Sequence, residues 1–381
     1  MTDRDATPVR GDGGVDLSGV DRMGIGLDDL DALEIGAAIL GTGGGGNPYI
    51  GKLRCREELK KGRAIELISL DDLPDDALVV SLGGIGAPVV GVEKIEQGDE
   101  CLLALRALEA ELDCRVDALV SVEIGGANSM EPMLTAAQAG LPVVDGDGMG
   151  RAFPEMQMTT WSIYGHVSTP ATMVDDKGNT VVFRRTESEV WLETLARAAV
   201  VAMGAAAGLA SAPMRGDFVK RAAIPGTVTQ ALLLGRAVLE AQREHRDPVE
   251  TVLEHEDGRF LMNAKIVDLE RHLKGGFAVG HISLEGFGPS AGETGRIELQ
   301  NEFLVFRRDG AVEVTVPDLI VVLDADTGLP ITTEVLRYGQ RVAVLALPSH
   351  ELLRTPEALA VVGPAAFGYP EIEFRPMTRT R

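Results

Sequence analysis

Three short glycine-bordered segments carry the side chains that could do chemistry. Glu123 stands in Val122-Glu123-Ile124-Gly125-Gly126-Ala127-Asn128, at the end of an apolar run. Asp145 and Asp147 stand two residues apart in Asp145-Gly146-Asp147-Gly148-Met149-Gly150-Arg151. His281 stands in Gly280-His281-Ile282-Ser283. Carboxylates and an imidazole can hold a divalent cation or move a proton at neutral pH. The expected catalytic groups are therefore Glu123, Asp145, Asp147 and His281. Asp145, Asp147 and His281 form the expected metal set, with zinc as the metal. Each has a structural alternative: Glu123 could brace a loop, the aspartates could be neutralised by Arg151, and a strand histidine can be a satisfied core residue. Arg151 itself offers a planar fork that suits a substrate carboxylate. His166 is the second histidine of interest. Gln300-Asn301-Glu302 adds two amides and a carboxylate, but neighbours on a strand face opposite ways unless the strand bulges.

The run Gly41-Thr42-Gly43-Gly44-Gly45-Gly46-Asn47-Pro48 stands apart from all of these. Glycines permit φ > 0 at little steric cost and let backbone N–H groups turn toward an anion or a carbonyl. Fixing such a stretch costs ~1–2 kcal/mol per residue. A G-x-G-x-x-G pattern is present at Gly41, Gly43 and Gly46. However, the segment before it reads as a helix instead of a strand, and no Gly-Lys-Ser/Thr closes the loop, which argues against a nucleotide site. Two readings stay open: a close-packed turn, and a substrate-facing nest of N–H groups. The expected substrate-binding residues are Thr42, Gly43, Gly44, Gly45, Gly46 and Asn47, with Asn128 and Arg151. No HExxH, GxSxG or Cys–His signature accompanies them.

These residues need elements to hold them. Residues 28–40 have apolar positions at helical spacing, and Asn47-Pro48 suits a helix start. Residues 76–81 and 117–121 read as buried strands that run into glycine loops, with a helix over 98–112 between them. A helix over 130–139 and a third strand over 141–145 follow. This alternation predicts an α/β domain with a parallel sheet, whose ligands gather at the carboxyl ends of the strands. Beyond His166 the pattern predicts a hairpin (172–174 with 180–184) and long helices over 189–209 and 227–243. The Ala/Gly-rich run 198–212 reads as a tightly packed internal helix. Residues 266–347 alternate short strands with turns and predict a β-rich C-terminal domain. The expected organisation is a disordered tail (1–24), an α/β domain (25–168), a hairpin and helical connection (169–260) and the β-rich domain (261–381).

Composition sets the remaining bounds. The chain has 381 residues, 45% of them hydrophobic, which is ordinary for a globular protein. A net charge of −22 argues against nucleic acid and against an anionic membrane surface. Cys55, Cys101 and Cys114 form no CxxC pair, and residues 1–21 are polar with no signal-peptide pattern, so a reducing cytoplasm is expected. A homo-oligomer is compatible with all of this.

Taken together, these blocks resemble the S-methyl-thiohydantoin desulfurase family. The likeness runs through residues 40–48, 123–128 and 140–155, and continues in Asn301-Glu302 and Val316-Pro317-Asp318-Leu319-Ile320. It covers roughly residues 27–347. The resemblance implies an N-terminal α/β domain and a C-terminal β-rich domain. It also implies hydrolytic chemistry on a thiohydantoin or hydantoin-like ring, and proximity to hydantoinase/oxoprolinase-type proteins. A hydrolase releasing sulfide through metal-activated water is the expected function. The alternative is a non-catalytic partner subunit or metabolite-binding module of a hydantoinase system.

Overall fold

The computed structural model describes residues 14–15, 17–86 and 97–378. The first sheet grows from short apolar runs. In chain order its elements are β1 (Met23–Gly24), helix α1 (Leu30–Leu40), α2 (Tyr49–Lys60), β2 (Glu66–Ile68), β3 (Leu78–Gly86), α3 (Glu100–Leu112), β4 (Ala118–Ser121), α4 (Met130–Ala139) and β5 (Val143–Asp147). Next come α5 (Thr160–Ile163), β6 (Ala171–Val174), β7 (Thr180–Phe183), α6 (Glu189–Ala202), β8 (Ala206–Arg215), α7 (Gly216–Ala222), β9 (Ile224–Pro225), α8 (Thr227–Arg243) and α9 (Pro248–His255). Strand order is β1-β2-β5-β4-β3-β8-β6-β7, with β9 beside β5. The centre β2-β5-β4-β3 is parallel, and β8, β6 and β7 extend it antiparallel. β4 is buried along its whole length, as parallel strands covered on both faces are.

The second sheet contains β10 (Arg259–Lys274), β11 (Phe277–Gly286), β12 (Thr294–Gln300), β13 (Glu302–Arg308), β14 (Ala311–Thr315), β15 (Leu319–Asp324) and β16 (Arg341–Leu347). It is antiparallel throughout, in the order β14-β13-β12-β11-β10-β16-β15. A short helix, α10 (Pro356–Val362), follows. No helix among the described residues is long and apolar enough to cross a membrane.

The two sheets share a core. Leu33 and Ile39 of α1 and Leu234 and Val238 of α8 lie in one buried apolar cluster with Leu319, Val321 and Leu345 of the second sheet. The α1–α8 crossing is unusually close because each helix presents a glycine to the other's backbone. A methyl group on Gly36 would lie 1.9 Å from the Ala231 carbonyl oxygen, and one on Gly235 would lie 1.8 Å from that of Ala32.

The parallel α/β centre, the hairpin, α8 and the β-rich C-terminal region agree with the sequence reading. Three parts differ. Helix α6 stops at Ala202, and Ala206–Arg215 is strand β8, where a helix had been expected through 209–212. Gly204 (φ 94°) and Ala205 (φ 64°) turn the chain out of the helix, and the small residues that follow let α3 approach the strand. A methyl on Gly208 would come within 2.4 Å of the Cys101 nitrogen. The stretch 169–260 is therefore no separate connection, because its strands complete the first sheet. Finally, the tail expected over 1–24 falls partly outside the described residues (1–13 and 16), yet its end is built into the fold. Leu17 is buried, the Val15 N–H donates to Asp117 Oδ1 at 2.8 Å, and β1 pairs with β2.

The α1–α8 crossing generates a test. Gly235→Ala should destabilise the chain by about 1–3 kcal/mol, the cost of forcing a methyl into packed backbone. A urea titration reads this, and a midpoint equal to that of the unaltered chain would show that the helices separate without cost.

Candidate active site at the seam of the two sheets

A cleft of ≈ 510 Å³ opens where the carboxyl ends of β3 and β4 meet the turn between β12 and β13. Glu123 follows β4 and lines the cleft. Its loop is fixed from below. The Ser121 hydroxyl donates to the Glu123 and Asn128 carbonyls, at 2.6 and 3.1 Å, and the Ile124 N–H donates to Asp147 Oδ2 at 2.7 Å. The Glu123 carboxylate accepts Asn128 Nδ2–H at 2.6 Å and the Phe153 N–H at 3.0 Å. Asn128 uses its Oδ1 to take the Gly84 N–H at 2.6 Å, which ties the ends of β3 and β4 together. Burial pushes the Glu123 carboxyl up to about 8, against the pull of those two hydrogen bonds.

The glycine run divides into two parts. Thr42 to Gly44 pack against the second sheet. Thr42 (φ 50°) has its carbonyl taken by the Phe303 N–H at 2.9 Å. Gly43 (φ 87°) lies under the Phe303 ring, and a methyl on Gly44 would sit 1.9 Å from Glu302 Oε1. These positions need glycine because another element occupies the space a side chain would fill. Gly45, Gly46 and Asn47 line the cleft. The Asn47 side chain also accepts the Tyr49 N–H at 2.9 Å and so starts α2. The close-packed turn and the cleft-facing backbone are thus successive parts of one loop.

Arg151 is fully buried and lies outside the cleft. Its Nε donates to the Ala152 carbonyl (3.1 Å). Nη1 donates to the Pro317 and Asp318 carbonyls (3.0 and 2.9 Å), and Nη2 to Thr42 Oγ1 and the Phe303 carbonyl (2.8 and 3.2 Å). All five N–H donors are thereby used on the protein, so the expected grip on a substrate carboxylate has no donor left to make it. The guanidinium also lies 4.7 Å from the Phe153 ring. Burial lowers it to about 10, which leaves it charged at neutral pH, held there by Glu302, Asp318 and Glu123.

The expected metal set does not assemble. Asp145 accepts the Val228 and Thr229 N–H groups and the Thr229 hydroxyl, which caps the start of α8. Asp147 is buried below the cleft and accepts the N–H groups of Ile124, Met149 and Gly150; burial pushes it up to about 7. His281 lies on β11 in the second sheet, 3.5 Å from Asp268 and 3.6 Å from Glu270, and does not line the cleft. Among the described residues, no group of three or more His, Cys, Asp or Glu side chains could hold a metal ion. His166 is likewise away from the cleft, against Phe218, and burial lowers it to about 4.

Of the cleft carboxyls that were not among the expected site residues, Glu302 and Glu334 each keep a buried oxygen without a hydrogen-bond partner. Glu302 is buried at 2% exposure, with its Oε2 unpartnered. Burial first, and the neighbouring Glu123 second, raise it well above the ordinary carboxylate range, while Arg151 opposes them. Glu334, in the turn Thr333–Val335, lines the same cleft. The Gln300-Asn301-Glu302 cluster was the signal for Glu302. The chain reverses at Asn301 (φ 56°), pairing Gln300 with Glu302, and this brings Asn301 and Glu302 into one wall against strand alternation.

Family models for the S-Me-THD-like N-terminal and C-terminal domains match residues 28–185 and 187–377. The chain belongs to the S-Me-THD-like family. Its fold is similar to the crystal structure of a protein from Chromobacterium violaceum, at 25% identity and a TM-score of 0.77, covering 93% of this chain and 99% of that one. No curated protein matches it. The boundary between the two S-Me-THD-like domains falls just before α6, so β8 and α8 of the first sheet are counted with the C-terminal domain.

Two outcomes follow from the geometry. Arg151→Met should cost about 3–5 kcal/mol, because it leaves buried acceptors and carboxyls without their cation, and Arg151→Lys should restore little of this since an ammonium cannot fill the five-donor fork. Thermal melts of both variants check it. Stability should also fall as pH rises from about 5 to 8. Glu123 and Asp147 hold their protons more tightly folded (about 8 and about 7) than unfolded (~4), so the stabilisation present at low pH is lost as they ionise in the fold. Glu123→Gln should flatten that slope, an effect on the order of a few kcal/mol in denaturant titrations across the range.

Proposed function

We propose that this protein is a hydrolase of a small five-membered thiohydantoin or hydantoin-like ring, exchanging the ring's C=S sulfur for oxygen from water. The observation that carries this is the pairing of two buried carboxyls, Glu123 and Glu302, in one cleft of a chain that belongs to the S-Me-THD-like family. The cleft's ≈ 510 Å³ is within the range of small-molecule sites. Two interacting carboxyls titrate as a pair, and near neutrality such a pair can hold one proton between them. That is the state acid–base hydrolysis requires.

In the proposed reaction the ionised member takes a proton from water as the water oxygen bonds to the thiocarbonyl carbon and the C=S π electrons move to sulfur. The protonated member then gives its proton to sulfur. The C–S bond breaks, the hydroxyl proton leaves and C=O forms. Thiocarbonyl and water become carbonyl, hydrosulfide and a proton. Asn128 positions Glu123, and Arg151 offsets the charge on Glu302 from behind. Gly46, whose backbone lines the cleft wall, offers an N–H to stabilise developing charge. No step is routed through a metal, because among the described residues no three His, Cys, Asp or Glu side chains form a ligand set.

The experiment is sulfide trapping from the purified chain with 2-thiohydantoins and their S-methyl derivatives. Release is expected, with an alkaline limb in the pH–rate profile near the Glu123 value of about 8. Glu123→Gln should lower kcat by about 10²–10⁴-fold, the usual contribution of a positioned acid or base. A panel of such rings yielding neither sulfide nor methanethiol would sink the reading.

A further inference from the structure

Three carboxyls that line the cleft are occupied by hydrogen bonds from the protein. Glu100 accepts the N–H groups of Gln97, Gly98 and Asp99, Glu155 accepts Gln157 Nε2–H, and Glu123 is held by Asn128 and Phe153. Glu302 and Glu334 differ, since each keeps one oxygen, Oε2, that is buried and has no hydrogen-bond partner. A buried acceptor without a donor is unfavourable, and folds keep few of them without a reason. Two in the wall of one cleft mark places where an incoming donor belongs.

The turn that carries Glu334 is held firmly. The neighbouring Thr333 donates its N–H and its hydroxyl to the Gly43 carbonyl, at 2.8 and 3.0 Å, and the hydroxyl also reaches the Asn301 carbonyl at 2.6 Å. Arg271 donates to the Thr333 carbonyl from the other side. The turn is thus fastened to the glycine run, to the β12–β13 reversal and to β10 at once. A carboxyl set in a turn that is fastened through the adjacent Thr333, with one oxygen still without a donor, is a pre-organised acceptor.

We propose that Glu334 is a specificity-determining residue that accepts a ring N–H of the substrate, so that the cleft selects heterocycles with that nitrogen unsubstituted. This rests on the small-ring reading of the cleft. The open oxygen of Glu302 is left for the second donor, the attacking water. Because Glu334 Oε2 would have to stay buried without a donor beside an N-alkyl group, discrimination comes mainly from rejecting the alkylated ring.

The test uses the full chain. Hydantoin, 1-methylhydantoin and 3-methylhydantoin are titrated by calorimetry, and sulfide release is measured with the matching thiohydantoins. The unaltered chain should bind the N–H ring at least about tenfold more tightly than the ring methylated at the contacting nitrogen, the effect of about one hydrogen bond to a charged group. Glu334→Leu should erase that preference while melting no lower than the unaltered chain, and Glu334→Gln should restore part of it through its amide oxygen. A merely structural Glu334 would lower the melting temperature and leave the methyl preference intact, which overturns the proposal. If Glu334→Leu does not fold, the methyl series on the unaltered chain and on Glu334→Gln decides, and equal binding of N–H and N-methyl rings overturns it. Sulfide release without any N–H preference refutes this inference and leaves the desulfurising reading standing. An N–H preference without sulfide release does the reverse, and binding of no ring refutes both.

Discussion

The buried guanidinium of Arg151 is the interaction on which the site depends. It comes from the loop after β5, yet four of its five hydrogen bonds end on residues distant in sequence: Thr42 in the glycine run, and Phe303, Pro317 and Asp318 in the second sheet. A single planar fork therefore fixes the distance between the loop that carries Glu123 and the strand that carries Glu302. Burying a charge is costly unless it is fully hydrogen-bonded and has countercharges nearby, and Arg151 meets both conditions. Asp318 extends the network outward. Its carboxylate takes the Ser349 N–H and hydroxyl, the Arg354 guanidinium and the Met377 N–H, so the last described residues are tied to the same centre.

The cleft follows from that seam. Three loops meet there, and each gives up side chains to approach the others. Gly44 lies against Glu302, Gly45 against the Gly125 carbonyl and Gly125 against Ala152. With no side chains between them, backbone amides and a few carboxyls make up the polar part of the wall. Those carboxyls sit in a poor dielectric, which raises Glu123 and Glu302 toward the range where a proton can be held and released near neutrality. The same burial that makes them useful makes them a burden on the folded state, a common compromise in active sites.

Elements set by local pattern were legible in the sequence. Apolar spacing gave α1, and buried apolar runs ending in glycine gave β3 and β4. Glu123 and Asn128 could be placed in the cleft because the carboxyl ends of parallel strands are where such sheets gather ligands. Strand β8 was not legible: an Ala/Gly-rich run has no period to read, and its strand identity comes from pairing with β3 and from α3 packing against it. The aspartates misled for a related reason. A carboxylate in a glycine loop has the same local sequence whether it faces a ligand or caps a helix. Asp145 and Asp147 are separated from a ligand role only by the N–H groups that the fold brings to them.

By itself the sequence determined the two-part α/β and β-rich construction, the glycine run as a place of close approach, Glu123 as a strand-end carboxyl, and the family. Those properties are local, or are carried by contiguous blocks. Only the tertiary structure decided that Arg151 belongs to the protein and not to a ligand, that His281 lies far from the aspartates, and that Glu302 and Glu334 join Glu123 in one cleft. Most of these relations join residues more than a hundred positions apart. They depend on how two sheets dock and on which buried donors and acceptors find each other, and no periodicity within one segment encodes that.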